Sequence, residues 1–161
     1  MEHVRAGLIR GRLRLEVRAG GALIARRAGS NAVLRGGAEL VARRLAGLDA
    51  ESISAVGVGF GTESADLGAV ALTPPTDPSI PPEALRSPVA ATDATLATDR
   101  PDVVALSLAT LFHPTVALDG VTEAGLFAGD RLYNQVVFEP VSLKVGQDVT
   151  FFWDIDFPFG H

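Results

Sequence analysis

The sequence predicts a mainly β protein, an antiparallel β-sandwich or jelly-roll-like domain with one amphipathic helix at about 31–47 and an N-terminal β-hairpin. First, residues 121–157 alternate apolar and polar side chains over two strand-length runs, which is typical of a sheet with one buried face. Second, one other stretch has a helical period, and short β-prone runs separated by turn residues fill much of the rest. Third, a chain of 161 residues, 47% apolar and 20% charged, suits a single globular domain over 1–161.

The start of the chain predicts a basic hairpin over 1–29. Apolar residues alternate with charged ones along 8–18, so this run is expected to form a strand with one wet face. The sequence Ala19-Gly20-Gly21 predicts a turn into a short second strand at 22–26.

The helix is expected between 32 and 46, where apolar residues recur at three- and four-residue spacing. Ser30 or Asn31 can cap its start through a side-chain oxygen, and Gly47 is expected to end it. Small residues at its centre would let it lie close to a sheet, at some cost in helix propensity. The residues on its predicted apolar side are Val33, Leu34, Gly37, Leu40, Val41 and Leu45.

Three alternating glycines follow a predicted strand at 53–58, in the sequence Gly57-Val58-Gly59-Phe60-Gly61-Thr62. A dinucleotide-binding loop needs two residues before its third glycine and a helix directly after it, and a phosphate loop needs Gly-Lys-Ser/Thr. This stretch has neither pattern. The glycines are therefore expected to permit close backbone approach or a bulge.

The segment 72–102 is predicted to be a Pro-rich extended loop or arm. Six prolines lie between positions 74 and 88, and proline cannot complete the hydrogen bonds of a central strand. Long loops in compact domains are commonly functional. This arm is therefore expected to order against a partner, with 88–96 as a candidate edge strand.

The last third of the chain predicts strands at Val103–Phe112 and Thr115–Leu118, with turns at His113-Pro114 and Asp119-Gly120. A further turn is expected from Glu139-Pro140 to Gly146-Gln147-Asp148. In the run before it, one side carries Leu132, Asn134, Val136 and Phe138, and the other carries Tyr133, Gln135, Val137 and Glu139. In the run after it, the apolar side carries Val149, Phe151, Trp153, Ile155 and Phe157, while Thr150, Asp154 and Asp156 point away.

Charge is divided unevenly along the chain, which the net charge of −5 conceals. Residues 1–47 hold ten arginines against three glutamates, a net of +7, whereas residues 48–161 hold four basic and sixteen acidic residues, a net of −12. No aromatic residue lies among these arginines to stack on bases, so nucleic acid is not the expected partner. The alternatives are a solvated strand face and a basic surface that meets an acidic one on a neighbouring copy. The candidate interaction residues are Arg10, Arg12, Arg14, Arg18, Arg26, Arg27, Asp154 and Asp156.

Residues suited to catalysis or metal binding are sparse. The chain has no cysteine and no Gly-x-Ser-x-Gly motif, and its three histidines lie far apart in the sequence. Asp154 and Asp156 could bind a hard cation with Asp130 or Glu123, although such carboxylates more often keep a strand soluble. We therefore predict no catalytic residue, no metal and no cofactor. The histidines are His3, His113 and His161.

Two further residues have alternative roles. Trp153 is expected to lie in the core rather than on a glycan-binding surface. Glu123 either accepts backbone hydrogen bonds at the end of a strand or marks simple strand termination, and strand termination is the expected role.

Four pieces of the sequence, taken in order, resemble a group of small structural proteins of tailed bacteriophages and related tail-like particles, of tail-fibre, baseplate or capsid-decoration type. The resemblance implies a non-catalytic, β-rich virion protein that acts within a symmetric assembly. The Arg-rich start and the segment 72–102 lie outside it. The pieces are Ser30-Asn31-Ala32-Val33-Leu34 with the helix, Ile53 through Thr62, Thr122 through Phe127, and Phe138 through Phe157 with Lys144 and Trp153.

Three functions follow as expectations. The first is a non-enzymatic structural protein of a bacteriophage virion or phage-like particle, which associates with itself and docks on tail, baseplate or capsid components after synthesis in the host cytoplasm. The second is a carbohydrate-binding module that recognises a surface glycan through Tyr133, Trp153 or 72–102. The third is a glycan hydrolase, which needs two converging carboxyl groups. No uncharged apolar run of about 18 residues is present, so no membrane partner is expected.

Overall fold

Ten β-strands and one α-helix form the part of the chain that the structure describes. The structure is a computed structural model, and it describes residues 9–63 and 66–159. The helix is α1 (Arg35–Leu45). The strands are β1 (Arg10–Ala19), β2 (Ala22–Val33), β3 (Ala55–Gly59), β4 (Arg86–Pro88), β5 (Ala94–Ala97), β6 (Val103–Phe112), β7 (Leu118–Ala128), β8 (Arg131–Leu132), β9 (Asn134–Leu143) and β10 (Asp148–Pro158).

The strands pair antiparallel throughout, in the order β4-β3-β7-β9-β2-β1-β10-β6-β5, with β8 beside β7. This curled sheet folds its two halves over a shared core. The predicted fold class is therefore confirmed: mainly β and antiparallel, with one helix and an N-terminal hairpin. Among residues 9–63 and 66–159, no helix is long and apolar enough to cross a bilayer.

The inner face of the β1–β10 pair lies at the centre of the core. Leu13 is opposite Trp153 and Leu15 is opposite Phe151, and all four side chains are at most 2% exposed. Phe112 of β6 packs edge-on against Phe151, with ring centroids 6.0 Å apart. The alternation predicted for β10 is confirmed, and Trp153 is a core residue as expected.

Side-chain hydrogen bonds join β4 to β6 and draw the two ends of the sheet together. The Ser87 hydroxyl donates to the carbonyl of Leu111 at 2.9 Å. The Thr110 hydroxyl donates to the carbonyl of Pro88 at 3.4 Å. These two bonds hold β4 beside β6, although no backbone hydrogen bonds pair the two strands.

The helix begins later than the predicted range of 31–47. Strand β2 continues to Val33, so Ser30 and Asn31 lie in a strand rather than at a helix cap. Leu34 precedes the helix and supplies no side-chain cap. The predicted cap was wrong because these polar residues pair with β1, which also makes the second hairpin strand longer than expected.

The end of the helix was predicted correctly. Gly47 has a positive φ of 67°, and its amide donates to the carbonyl of Arg44 as in a Schellman-type helix end. Gly37 and Leu40 are buried. Leu45 is 90% exposed, so its predicted place on the apolar side was wrong. The helix buries only its first two turns against the sheet.

Gly37 sets the close approach of the helix to the sheet. A Cβ at this position would clash with the carbonyl oxygen of Tyr133 and would lie 2.8 Å from its ring. The predicted role of small residues at the centre of the helix is therefore confirmed. Tyr133 and Gln135 were expected to face away from the core, but they are only 3% and 8% exposed because other parts of the chain cover this face.

The turn predicted from Glu139-Pro140 to Gly146-Gln147-Asp148 is wrong at its start and confirmed at its end, since Glu139 and Pro140 lie inside β9. The turn falls later, where the amide of Gln147 donates to the carbonyl of Lys144 at 3.2 Å. Proline at this position lacks an amide for a ladder hydrogen bond. The carbonyl groups of Glu139 and Pro140 accept hydrogen bonds from a side chain of β2.

That side chain is Arg27, which shares the inward face of Leu15 on the neighbouring strand. Its guanidinium donates to the carbonyl of Pro140 at 2.7 Å and to the carbonyl of Glu139 at 3.0 Å. The register pairs between β2 and β9 are confined to the end of β2. The Arg27 side chain therefore extends the junction between the two halves of the sheet.

The predicted turn at Asp119-Gly120 is an irregularity inside β7. The register against β9 shifts between Leu118 and Val121, and Gly120 has a positive φ of 73°. A positive-φ glycine serves both tight turns and β-bulges. The predicted turn was therefore wrong, because the positive φ of Gly120 serves an irregularity within β7.

The Pro-rich segment 72–102 folds back onto the body of the protein. It contains β4 and β5, which stand at the two ends of the strand path. Two 3₁₀ turns, at Pro82–Leu85 and Ala91–Asp93, precede these strands. The candidate edge strand within 88–96 overlaps β5.

Candidate functional site

A row of polar side chains crosses the outer face of the sheet. Strand pairing places Ser30, Arg12, Asp154, Ser107 and Thr95 side by side, from β2 to β5. All five are exposed. This row ends at the edge of the sheet and is the centre of the candidate site.

The acidic residues of this face already have partners in the same chain. Asp154 accepts a hydrogen bond from the Ser107 hydroxyl at 2.8 Å, and Arg12 lies opposite it. Asp156 lies opposite Arg10 and is 3.8 Å from the guanidinium of Arg100. The opposite charges that are separated along the sequence are therefore adjacent in the fold.

Three arginines of the basic hairpin surround one carboxylate, Glu16. The distances to Arg14, Arg18 and Arg26 are 3.5, 3.4 and 4.0 Å. Arg14 also lies over the ring of Phe152, 4.3 Å from its centroid. Glu16 was missing from the predicted site, although its place on the wet face of an alternating strand was a usable signal.

The structure divides the predicted interaction residues into two groups. Seven lie on the outer face or at its border: Arg10, Arg12, Arg14, Arg18, Arg26, Asp154 and Asp156. The eighth, Arg27, faces the other way and binds carbonyl groups of β9. Its contacts give it a structural role at the sheet junction.

Strand β5 is an open edge beside the polar row. It pairs with β6 on one side, and no described strand pairs with its other side. All four of its residues, Ala-Thr-Leu-Ala, are exposed, and Leu96 is 65% exposed. The strand carries no charge, no proline and no bulge, three features that commonly keep an edge from pairing with another chain. It has a fourth such feature, since it is only four residues long.

A buried carboxyl group holds the Pro-rich segment against the sheet. Glu123 of β7 is 0% exposed, and it accepts hydrogen bonds from the Thr73 amide at 2.5 Å and from the Gln135 side chain. A Cβ on Gly59 would lie 2.8 Å from Leu72, so this glycine permits the approach predicted for the glycine-rich strand. The less favoured prediction for Glu123, acceptance of a backbone hydrogen bond, is the one that the structure shows.

The candidate cation ligands do not converge. Glu123 is buried in β7 and Asp130 lies between β7 and β8, whereas Asp154 and Asp156 lie on the outer face of β10. Within residues 9–63 and 66–159, no three His, Cys, Asp or Glu side chains could hold a metal ion together.

His113, the histidine within residues 9–63 and 66–159, does not join the candidate cation ligands. His113 lies 3.7 Å from Asp148 at the exposed end of β6. His3 and His161 fall outside the described residues.

The single tyrosine of the chain is buried, and burial raises the pKa of Tyr133 above its ordinary value of 10.0. We expect the phenolate absorbance of the folded protein to appear at higher pH than that of the protein unfolded in urea. The stability contributed by neutral Tyr133 is fully present below pH 10 and is lost as pH rises through the folded-state pKa. Equal titration midpoints in the two states would contradict this expectation.

Comparison of the chain with protein-family models, curated proteins and solved structures finds no match.

Proposed function

We propose that this protein is a non-enzymatic structural subunit of a bacteriophage virion or phage-like particle. In this role it pairs with copies of itself through β5 and docks on other virion structural proteins of the tail, baseplate or capsid. The observation that carries the proposal is the uncharged, fully exposed edge strand. The resemblance of the sequence to phage structural proteins supplies the biological setting.

An unprotected edge strand is a template for another strand. Its free amide and carbonyl groups can form main-chain hydrogen bonds with a second chain, as in β-strand addition. Antiparallel pairing of β5 with β5 of a second copy gives a two-fold interface in which both copies use the same patch. One continuous sheet would then cross both subunits.

The polar row favours a defined register for this pairing. Thr95 would lie near the two-fold axis, with Asp154 two strands away and Arg12 three strands away in each copy. Charge complementarity sets orientation and association rate more than affinity. The outer face therefore serves as the surface that docks on a second type of subunit.

We expect Thr95→Lys to raise the dissociation constant of self-association about tenfold or more, because two like charges would meet across the new strand pair. Sedimentation velocity over a range of protein concentrations measures this change. Thr92→Lys is the matched control. It adds the same charge at an exposed position just before the strand, and it is expected to associate like the parent protein.

Two results would overturn the proposal. One is a strictly monomeric parent protein at high concentration together with its absence from purified particles. The other is equal weakening by Thr95→Lys and Thr92→Lys, because a general charge effect would then replace strand pairing.

The two other interpretations receive no specific support from the geometry. Trp153 and Tyr133 offer no exposed ring face on which a sugar could stack. Asp49, Glu51 and Asp130 line an open hollow beside α1, but all three are exposed. A glycosidase acid is usually held protonated by burial.

A further inference from the structure

A cavity of about 580 Å³ lies between the two halves of the sheet, beneath α1. Its floor is formed by inward-facing residues of β6 and β10, among them Leu106, Leu108 and Ile155, and α1 adds Leu40 and Val41. Ligand pockets for small molecules commonly span about 300–1,000 Å³ and are lined mainly by apolar side chains. This cavity has the size and the lining of such a pocket.

One polar group in the wall lacks a partner. Tyr133 lines the cavity and is 3% exposed, and its hydroxyl has no hydrogen-bond partner among residues 9–63 and 66–159. A buried hydroxyl without a partner is unfavourable, whereas an oxygen atom of a bound molecule would satisfy it. Almost none of the hydroxyl surface is accessible in this structure, so a ligand oxygen would reach it after a small shift of the ring. Ser52 and Ser54 are the other uncharged polar residues of the lining, and both are exposed.

Charge is limited to the mouth of the cavity. Arg44 and Glu51 are the charged lining residues, they have opposite signs, and both are exposed. Arg44 already donates a hydrogen bond to the carbonyl of Ala50 at 3.0 Å. A carboxylate deep in this cavity would lose its hydration without gaining a buried cation. The lining therefore favours a neutral molecule.

We propose that this cavity binds a neutral, mainly aliphatic molecule with one oxygen function, such as an alcohol or ketone, whose oxygen pairs with the Tyr133 hydroxyl. The aliphatic part lies against the leucine and isoleucine side chains of β6 and β10. Ala94 of β5 lines this cavity, whereas Thr95, the residue placed near the axis of the proposed strand pair, does not.

Three probe molecules test the proposed preference for a neutral oxygen. Octan-1-ol carries a neutral oxygen, octanoate carries a charged carboxylate, and toluene carries no oxygen. Titration of the full chain is followed by the NMR signals of the Leu, Val and Ile methyl groups. We expect saturable shifts with octan-1-ol at the methyl groups of Leu40, Val41 and Leu106. Octanoate is expected to bind more weakly.

Tyr133→Phe removes only the hydroxyl, so we expect it to weaken octan-1-ol binding about 3- to 10-fold and to leave toluene binding unchanged. Val41→Trp places a large side chain at a half-buried position of the cavity wall and is expected to abolish binding of both. Val145→Trp makes the same change in an exposed turn outside the cavity and is expected to bind as the parent does.

Three outcomes would overturn the proposal. The absence of saturable binding by both octan-1-ol and toluene would show that the cavity is not a ligand site. Octanoate binding as tight as that of octan-1-ol would refute the preference for a neutral oxygen. Unchanged octan-1-ol affinity in Tyr133→Phe would remove the hydroxyl from recognition.

Discussion

Replacing Glu123 with alanine is expected to lower the free energy of unfolding by about 3–5 kcal/mol. The substitution leaves two donors without their acceptor, the Thr73 amide and the Gln135 side chain, in a region where Glu123 itself is 0% exposed. The buried Gln135 donor costs about 1–3 kcal/mol when it is left unsatisfied, the part-buried hydrogen bond to the exposed residue Thr73 adds less, and the lost side-chain volume adds a cavity. Because a typical domain is stable by about 5–15 kcal/mol, this change would remove a large share of the total.

Urea unfolding followed by far-UV circular dichroism measures the loss, and hydrogen exchange at the Thr73 amide shows whether the Pro-rich segment is released. Glu139→Ala is the matched control, since that side chain is exposed on the adjacent strand. It is expected to change stability by less than about 0.5 kcal/mol. A loss below about 1 kcal/mol for Glu123→Ala, or an unchanged exchange rate at Thr73, would contradict the anchoring role.

Trp153→Ala is expected to cost about 3–5 kcal/mol, through lost burial and the cavity left in the core. Trp153 is 0% exposed and lies opposite Leu13, in the middle of the β1–β10 pair. Its indole N–H has no hydrogen-bond partner among the described residues. Trp153→Phe removes that unpaired donor while keeping an aromatic ring, so its cost is expected to be well below that of the alanine variant.

The neighbouring position gives a matched comparison for Trp153. Phe152 lies on the opposite face of the same strand, half-buried under the guanidinium of Arg14. Phe152→Ala is expected to cost about 1 kcal/mol, because it loses partial burial and one cation–π contact. Far-UV circular dichroism in urea measures all three variants without depending on the single tryptophan. Equal losses at positions 152 and 153 would contradict the assignment of the two faces.

Alternation of apolar and polar residues correctly predicted strands that have one buried face and one exposed face. The alternation around Trp153 was sufficient because one face of β10 meets the core and the other meets water. The same rule failed at Tyr133 and Gln135, since other parts of the chain cover the face expected to be wet. Whether a second layer covers a strand depends on residues far away in the sequence, and alternation within the strand does not report it.

Local turn and cap signals were less specific. Asn31 can cap a helix or pair in a strand, and Gly120 suits a turn or a bulge. Pro140 lies within a strand because β9 pairs with β7 on both sides of it, at Val137 and Val141. In each case a long-range contact decides between two conformations that the local sequence permits equally.

The sequence also predicted the residue types of the candidate site better than their positions in the fold. Composition and spacing identified the arginines and the acidic pair, but not that Arg12 and Asp154 would be neighbours. That adjacency requires the register of β1 against β10. Local sequence patterns also could not predict that β5 is an open edge. Whether a strand lies at an edge depends on the order of all the strands in the sheet.

The pairing of β1 with β10 also affects the order in which the chain can fold during synthesis. Residues 10–18 of β1 pair with residues 148–156 of β10, so the ribosome makes one partner long before the other. Until β10 emerges, Leu13 and Leu15 lack the aromatic side chains that cover them, and β6 lacks its neighbour. Because β10 joins β1 to β6, the core can close only when nearly the whole described chain has been made.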